Sequence, residues 1–291
     1  MLFSRFVLLA SVGFFTLLIS QQADASVMVT VGNINNAADN TDYGAVGYEY
    51  RISATEVTNS EYATFLNAVA ATDTYSLYHS AMSGTTGGIS RTGSSGNFIY
   101  SVNSGRGENP VGYVDFYDAL RYTNWLHNGQ GTGDTETGAY TITDEGITNN
   151  SITRNTGATW FLPNEDEWYK AAYYDPTLNS NAGGYFDYAT RSDVAPIAEL
   201  PAGGINSANY GQVVGNTTAV GAYTSALSPY GTYDQSGNVW EWNEAVIGSS
   251  NRGLRSGDWY TDYTFLSSSY RDYVEPAVEY SSVGFRVASL S

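Results

Sequence analysis

No cysteine occurs among the 291 residues. That absence excludes disulfides, thiolate metal sites, cysteine nucleophiles and thiol redox chemistry within the chain. Histidine is nearly missing too: His79 and His127 are the only two, too few for a histidine-rich zinc or iron centre. Lysine is reduced to Lys170, and the formal charge is −17. A surface this acidic repels nucleic acid and anionic lipid, so nucleic-acid binding is excluded. Long apolar runs are missing beyond the first 20 residues, so no span is expected in the mature chain. The turn 129–133 lacks the spacing and lysine of a phosphate loop, and no G-x-S-x-G surrounds a candidate serine.

What is present is tyrosine, at 25 residues, and glycine, at 31. With 42% hydrophobic residues the chain is too apolar to be disordered; it reads as one loop-rich aromatic domain. Arg5, an apolar run over 6–19 and the small residues Ala23 and Ala25 have the form of a cleavable secretory signal over 1–25. A cell-envelope, periplasmic or secreted location follows. Residues 26–45 read as a lead-in and 46–289 as the domain.

Val46, Tyr48, Tyr50 and Ile52 alternate, which predicts a half-buried strand. Thr58 and Glu61 have capping-box spacing before a helix over 60–70. A second helix is read over 115–127 and a third from Asn164, where Glu165, Asp166 and Glu167 sit at the positive end of the helix dipole. That acidic cluster is read as helix-start chemistry. Residues 98–100 predict a short strand inside a loop over 83–108. Glu241 and Glu244 lie close enough in sequence to raise a glycosidase pair, but sequence proximity does not establish that geometry.

Five segments together resemble the formylglycine-generating enzyme (sulfatase-modifying factor) family. They are Glu56-Val57-Thr58-Asn59-Ser60-Glu61-Tyr62; Asn109-Pro110-Val111 with Asp118-Ala119; Phe161 through Trp168; Pro229-Tyr230-Gly231 through Gly237-Asn238-Val239-Trp240-Glu241-Trp242; and Arg255-Ser256-Gly257-Asp258-Trp259 closed by Gly284-Phe285-Arg286-Val287. The order matches the family's. The resemblance implies an α+β, C-type-lectin-like fold with two or three short helices, a small twisted antiparallel sheet and little regular structure.

The family's enzymes hold Cu(I) on two cysteines after the tryptophan at the position of Trp259. Here that stretch offers serines, Ser267 to Ser269, which are hard and un-ionised ligands. Copper and formylglycine generation are therefore not expected. The branch that forms sulfur–carbon bonds with iron needs a histidine-bearing domain ahead of this fold, for which the sequence gives no room.

By resemblance, calcium is expected on the Asp234 side chain, the Gly237 and Val239 carbonyls and the Glu241 side chain, a mixed oxygen set of the kind a hard cation prefers. Asn209 and Tyr210 mark a weaker second site. In lectin-like relatives, variable proteins of diversity-generating retroelements among them, the stretch before the closing strand displays binding residues. Here it offers Trp259, Tyr260, Asp262, Tyr263, Tyr273 and Glu275. Tyrosine gives contact area, a hydroxyl and low entropy loss. The expectation is an extracytoplasmic protein- or glycan-binding module; an enzyme of the family with a non-cysteine centre and a structural envelope component are the alternatives.

Overall fold

The computed structural model describes residues 27–290. The region read as a signal lies outside them. Two four-stranded sheets and a set of short helices share one aromatic core.

The first sheet joins both ends of the domain. Strand β1, Met28–Val31, pairs antiparallel with β2, Tyr50–Ser53. The stretch read as a lead-in thus supplies an edge strand. β2 is shorter than the alternation implied: Tyr50 and Ile52 are fully buried, while Val46 and Tyr48 precede the strand. Tyr48 leaves the sheet to donate a hydrogen bond to Glu167.

Helix α1 covers Asn59–Val69. Thr58 accepts from the Glu61 N–H at 3.2 Å, and Glu61 accepts from the Thr58 N–H at 2.7 Å. This reciprocal capping box is the one the sequence signalled. Tyr62, Phe65 and Leu66 point into the core, where Phe65 meets Tyr122 edge-on with centroids 5.4 Å apart. Helix α2, Phe116–His127, begins with a second box, built from Asp115 and Asp118. Within the 83–108 loop, Ile89–Thr92 and Ile99–Val102 form an antiparallel hairpin.

Strand β3, Trp160–Phe161, leads into helix α3, Glu165–Tyr173. Trp168, Ala171 and Ala172 are completely buried, as their spacing implied. The acidic start of α3 does more than cap it. Glu167 accepts from Arg154, whose Nη2 also donates to Glu244, each at 2.7 Å. Glu165 takes Arg255 at 2.7 Å and Arg271 on its other oxygen. Asp166 accepts the Gly44 N–H at 2.8 Å. Reading this cluster as helix-start chemistry alone was incomplete: α3 is the anion block that anchors three arginines from other elements.

The second sheet carries the tryptophan-rich segment. Strand β4, Trp240–Ile247, pairs antiparallel with β5, Asn251–Arg255, which pairs with β6, Asp272–Val274. On its other side β4 pairs parallel with β7, Val283–Gly284. β8, Ala288–Leu290, then returns to the first sheet between β2 and β3. The small antiparallel sheet expected is built here as two four-stranded sheets, one of which includes a parallel pairing, beside smaller two-stranded ones. The β4–β5 register shifts between Trp242 and Val246. Gly253 allows it: a Cβ there would stand 2.5 Å from Asn243 Oδ1.

Candidate functional site

The turn before β4 brings together residues distant in sequence. Gly237, at φ +101°, is required there, because a Cβ would sit 2.4 Å from the Asn209 carbonyl. Asp234 and Asn238 also take left-handed backbone, at φ 62° and 65°. The two conformations press the 209 loop against the turn, and the Asn238 N–H donates to the Asn209 carbonyl at 2.9 Å.

Behind the turn Glu241 is fully buried against a fully buried Arg286. Arg286 donates from Nε at 2.6 Å and from Nη2 at 2.7 Å, one to each Glu241 oxygen. The Trp168 indole N–H adds a third bond at 2.7 Å. Arg286 also donates to the Ser53 and Tyr233 carbonyls at 3.0 and 2.8 Å, tying β2 to the turn. Glu241 thus serves first as an ion-pair partner. Glu244 belongs to the separate Arg154 network, so the two glutamates are not a facing pair.

Two further carboxylates lie near Arg286 without pairing to it. Asp234 Oδ2 accepts the Gly221 N–H at 2.6 Å. Glu56, fully buried, accepts from Asn238 Nδ2 at 2.9 Å on one oxygen, and its other oxygen is buried with no hydrogen-bond partner. Burial, with the nearby charges of Asp234 and Glu241, holds Glu56 well above the usual carboxylate range. Asp234 is pushed up to about 6, by burial first and by Glu241, with Gly221 N–H and Arg286 pulling the other way. Asn238 extends the cluster: its Oδ1 accepts from Thr218 N–H at 3.0 Å and Asn209 Nδ2 at 3.2 Å. Asn209 Oδ1 is itself buried with no partner.

Asp234 and the buried Val239 belong to the turn, the Gly237 carbonyl accepts Ser256 Oγ at 2.9 Å, and Glu241 is held by Arg286. Among the described residues no group of three or more histidine, cysteine or acidic side chains is placed to hold a metal ion. Tyr210, from the weaker set, uses its hydroxyl on the Pro196 carbonyl at 2.6 Å. Sequence reasoning missed Glu56 and Asn238 as members of the cluster. Both lay inside segments already singled out, but nothing in their spacing shows that the two segments meet.

The second candidate region runs from the end of β5 to β7. Asp258 fixes its base by accepting the Tyr260 and Thr261 N–H groups at 3.0 and 2.8 Å. Asp262 accepts the Thr264 N–H at 2.8 Å and starts a short 3-10 turn, Tyr263–Leu266. On this frame Tyr260 is 60%, Tyr263 49%, Tyr273 50% and Tyr280 54% exposed. Asp262 and Glu275 are exposed between them. Trp259 is half-buried, crosses Tyr260 edge-on at 5.8 Å, and has a buried indole N–H without an acceptor. Phe265 and Tyr270 turn inward onto Trp240. In the expected thiol stretch Ser268 is buried, with its carbonyl on Arg255 Nη1 at 2.8 Å, while Ser267 and Ser269 share a hydroxyl contact at 2.9 Å.

The family model described as the sulfatase-modifying factor enzyme 1-like domain matches residues 17–290. The chain belongs to this family. Hercynine oxygenase of Mycobacterium tuberculosis is 27% identical over 146 residues, 44% of this chain and 32% of that protein. The Mycolicibacterium smegmatis hercynine oxygenase is 24% identical over 205 residues, 62% of this chain and 38% of that protein. The chain spans about a third of the length of the curated relatives it matches. Among solved structures, CarF aligns with TM-score 0.58 at 23% identity, covering 92% of this chain and 99% of that one. Treponema denticola variable protein 1 aligns with TM-score 0.57 at 20% identity, covering 91% and 95%. These likenesses establish the sulfatase-modifying factor fold that the five segments implied. Among the described residues no helix is long and apolar enough to cross a membrane.

Proposed function

We propose that this family member is an extracytoplasmic, calcium-stabilised module that binds a protein or glycan partner through Trp259, Tyr260, Asp262, Tyr263, Tyr273 and Glu275. The observation that carries the reading is the row of half-exposed tyrosines on a backbone pinned by Asp258 and Asp262. Rings held this way lose little freedom on binding, and stacking with acidic hydrogen-bond acceptors beside it suits sugar rings or basic polar peptides. Secretion through the region 1–25 would place this face outside the cytoplasm.

To the calcium ligands read from the sequence the proposal adds Glu56. Glu56 keeps a buried oxygen without a donor, and Asp234 is near enough to raise the Glu56 carboxyl. A hard cation there would be held by those two, with the Gly237 and Val239 carbonyls and the remaining lone pair of Glu241 as further oxygens. Its contribution is to neutralise charge and fix the turn from which β4 and the aromatic segment depart.

Replacement of Tyr260 and Tyr263 by alanine tests the binding face. The double variant is expected to keep the wild-type melting temperature and to lose retention on a glycan array or on extracellular-matrix proteins. Undiminished retention would overturn the assignment of this face. Secretion is checked by fractionating cells that express the full chain: product confined to the cytoplasm with residues 1–25 intact refutes export.

A further inference from the structure

A cavity of ≈ 340 Å³ lies away from both regions above, between residues 190–192, 205–206 and 225–227. Its size is in the range that takes a small organic molecule. One wall is polar and rigid. Thr190 Oγ1 donates to Asn206 Oδ1 at 2.6 Å, and Asn206 Nδ2 donates to the Val194 carbonyl at 3.0 Å, so these groups are already engaged. Ile205 and Leu227 add aliphatic surface to the lining. Ile205 is 77% exposed, the most exposed large apolar side chain among the described residues.

Arg191 stands at the rim with its backbone in the left-handed region, at φ 56°. Its Nε and Nη2 donate to the Ser228 and Pro229 carbonyls, both at 3.1 Å. Those bonds fix the guanidinium plane and leave Nη1 without an acceptor among the described residues. Among the described residues no carboxylate pairs with Arg191. This is notable in a chain of charge −17, where six of the other arginines are ion-paired. Ser225 is exposed beside it with a hydroxyl that makes no hydrogen bond among the described residues.

We infer that this cavity is a binding site for a small aliphatic carboxylate. Its anionic end meets Arg191 Nη1 and the Ser225 hydroxyl, and its alkyl body lies on Ile205 and Leu227. A guanidinium edge with one free N–H pair beside a hydroxyl suits a carboxylate, because charge-assisted bonds from such donors are strong. The aliphatic wall favours a ligand with a branched carbon body over a bare inorganic anion. The inference does not rest on the calcium or tyrosine-face readings, since none of its residues belongs to them.

Titration of the full chain with N-acetyl-leucine, followed by calorimetry or saturation-transfer NMR, tests it. N-acetyl-leucinamide and sodium sulfate are run in parallel. The acid is expected to bind saturably and at least about tenfold more tightly than the amide or sulfate. Arg191→Gln should weaken the acid by about tenfold or more, and Arg191→Lys should weaken it less. Because Arg191 also holds two carbonyls, Ser225→Phe provides a second variant: it fills the exposed mouth, leaves those bonds intact and should abolish binding. Equal affinity for acid and amide, equal affinity for sulfate, absence of saturable binding, or a folded Ser225→Phe protein that binds normally would each overturn the assignment.

Discussion

Replacing Asp234 by asparagine should change stability in opposite directions depending on calcium. Asp234 lies near Glu56, and its carboxyl is pushed from an ordinary 3.8 up to about 6 by burial first and by the charge of Glu241. The folded state therefore binds more protons than the unfolded state between these values. Stability from this group is intact below about pH 4 and is lost as pH rises through about 6. A displacement of roughly two pH units corresponds to about 3 kcal/mol by neutral pH. Asparagine removes the charge, and its Oδ1 can still accept the Gly221 N–H now received by Asp234 at 2.6 Å. In chelator at pH 7 the variant should thus be more stable than wild type by up to about 3 kcal/mol, and its advantage should fade below pH 4. With millimolar calcium the order should reverse. Wild type gains binding energy from a ligand that prefers the folded state, and the variant has lost an anionic oxygen. Urea denaturation at pH 4, 5.5 and 7, each with calcium and with chelator, measures all terms. A variant weaker than wild type in every condition, with no calcium response in wild type, would refute both the charge argument and the cation reading.

Lys170 is buried, donates to the Asn33 carbonyl at 3.0 Å, and is lowered by burial from 10.5 to about 8. The unfolded chain binds its proton more tightly, so wild-type stability should rise from pH 8 toward 10; Lys170→Met should lack that rise and gain up to about 3 kcal/mol at pH 7, seen in urea midpoints. Arg286→Met leaves Glu241 charged and unpaired in the core and should cost at least about 3–5 kcal/mol, read as a collapsed melting transition or insoluble expression; Arg286→Met with Glu241→Gln should recover part of it. Thr58→Ala removes the side-chain acceptor of the α1 box and should cost about 1 kcal/mol, a shift of a few degrees in melting temperature.

The elements that were legible in the sequence are those whose signal is local. The Thr58–Glu61 and Asn164–Glu167 boxes each act over four residues, and both helices begin where they point. The box of α2 escaped notice because aspartate stands at both of its positions, although Asp118 still accepts the Asp115 N–H at 3.3 Å. Strand β1 lies in an asparagine- and alanine-rich stretch and is defined by partners that follow 19 or more residues later, Tyr50 to Ser53. No periodicity within Met28–Val31 announces such a pairing. The ion pairs behave likewise. That Arg286 would hold an acid was not readable from composition alone, since Arg252 is equally buried and is satisfied by Asn150 and backbone carbonyls. That the acid is Glu241, and that Arg154 joins Glu167 to Glu244, depends on how α3 is set against β4. The exposed tyrosines of 259–280 were identified as a group, yet Tyr270 turns inward and Trp259 is half-buried, a division that alternation alone could not supply.

The charge pattern of the interior separates acids that are matched by a partner from one that is not. Glu165, Glu167, Glu241 and Glu244 each face an arginine, and Asp73 takes Arg91 at 2.8 Å. Other enclosed acids spend their charge on backbone donors: Asp115 on the Asp118 N–H at 2.7 Å, Asp258 on Tyr260 and Thr261, Asp166 on Gly44. Glu56 has neither solution. It receives one amide hydrogen bond, stands against Asp234, and keeps an oxygen without a donor. Arg286 is close enough to lower both carboxyls but spends its direct bonds on Glu241. Fully buried Glu56 and half-buried Asp234, with one indirect cation, hold a proton more readily than free carboxyls do. The proposed calcium would supply that neutralising charge in place of the proton, through the oxygen ligands that a hard divalent cation prefers.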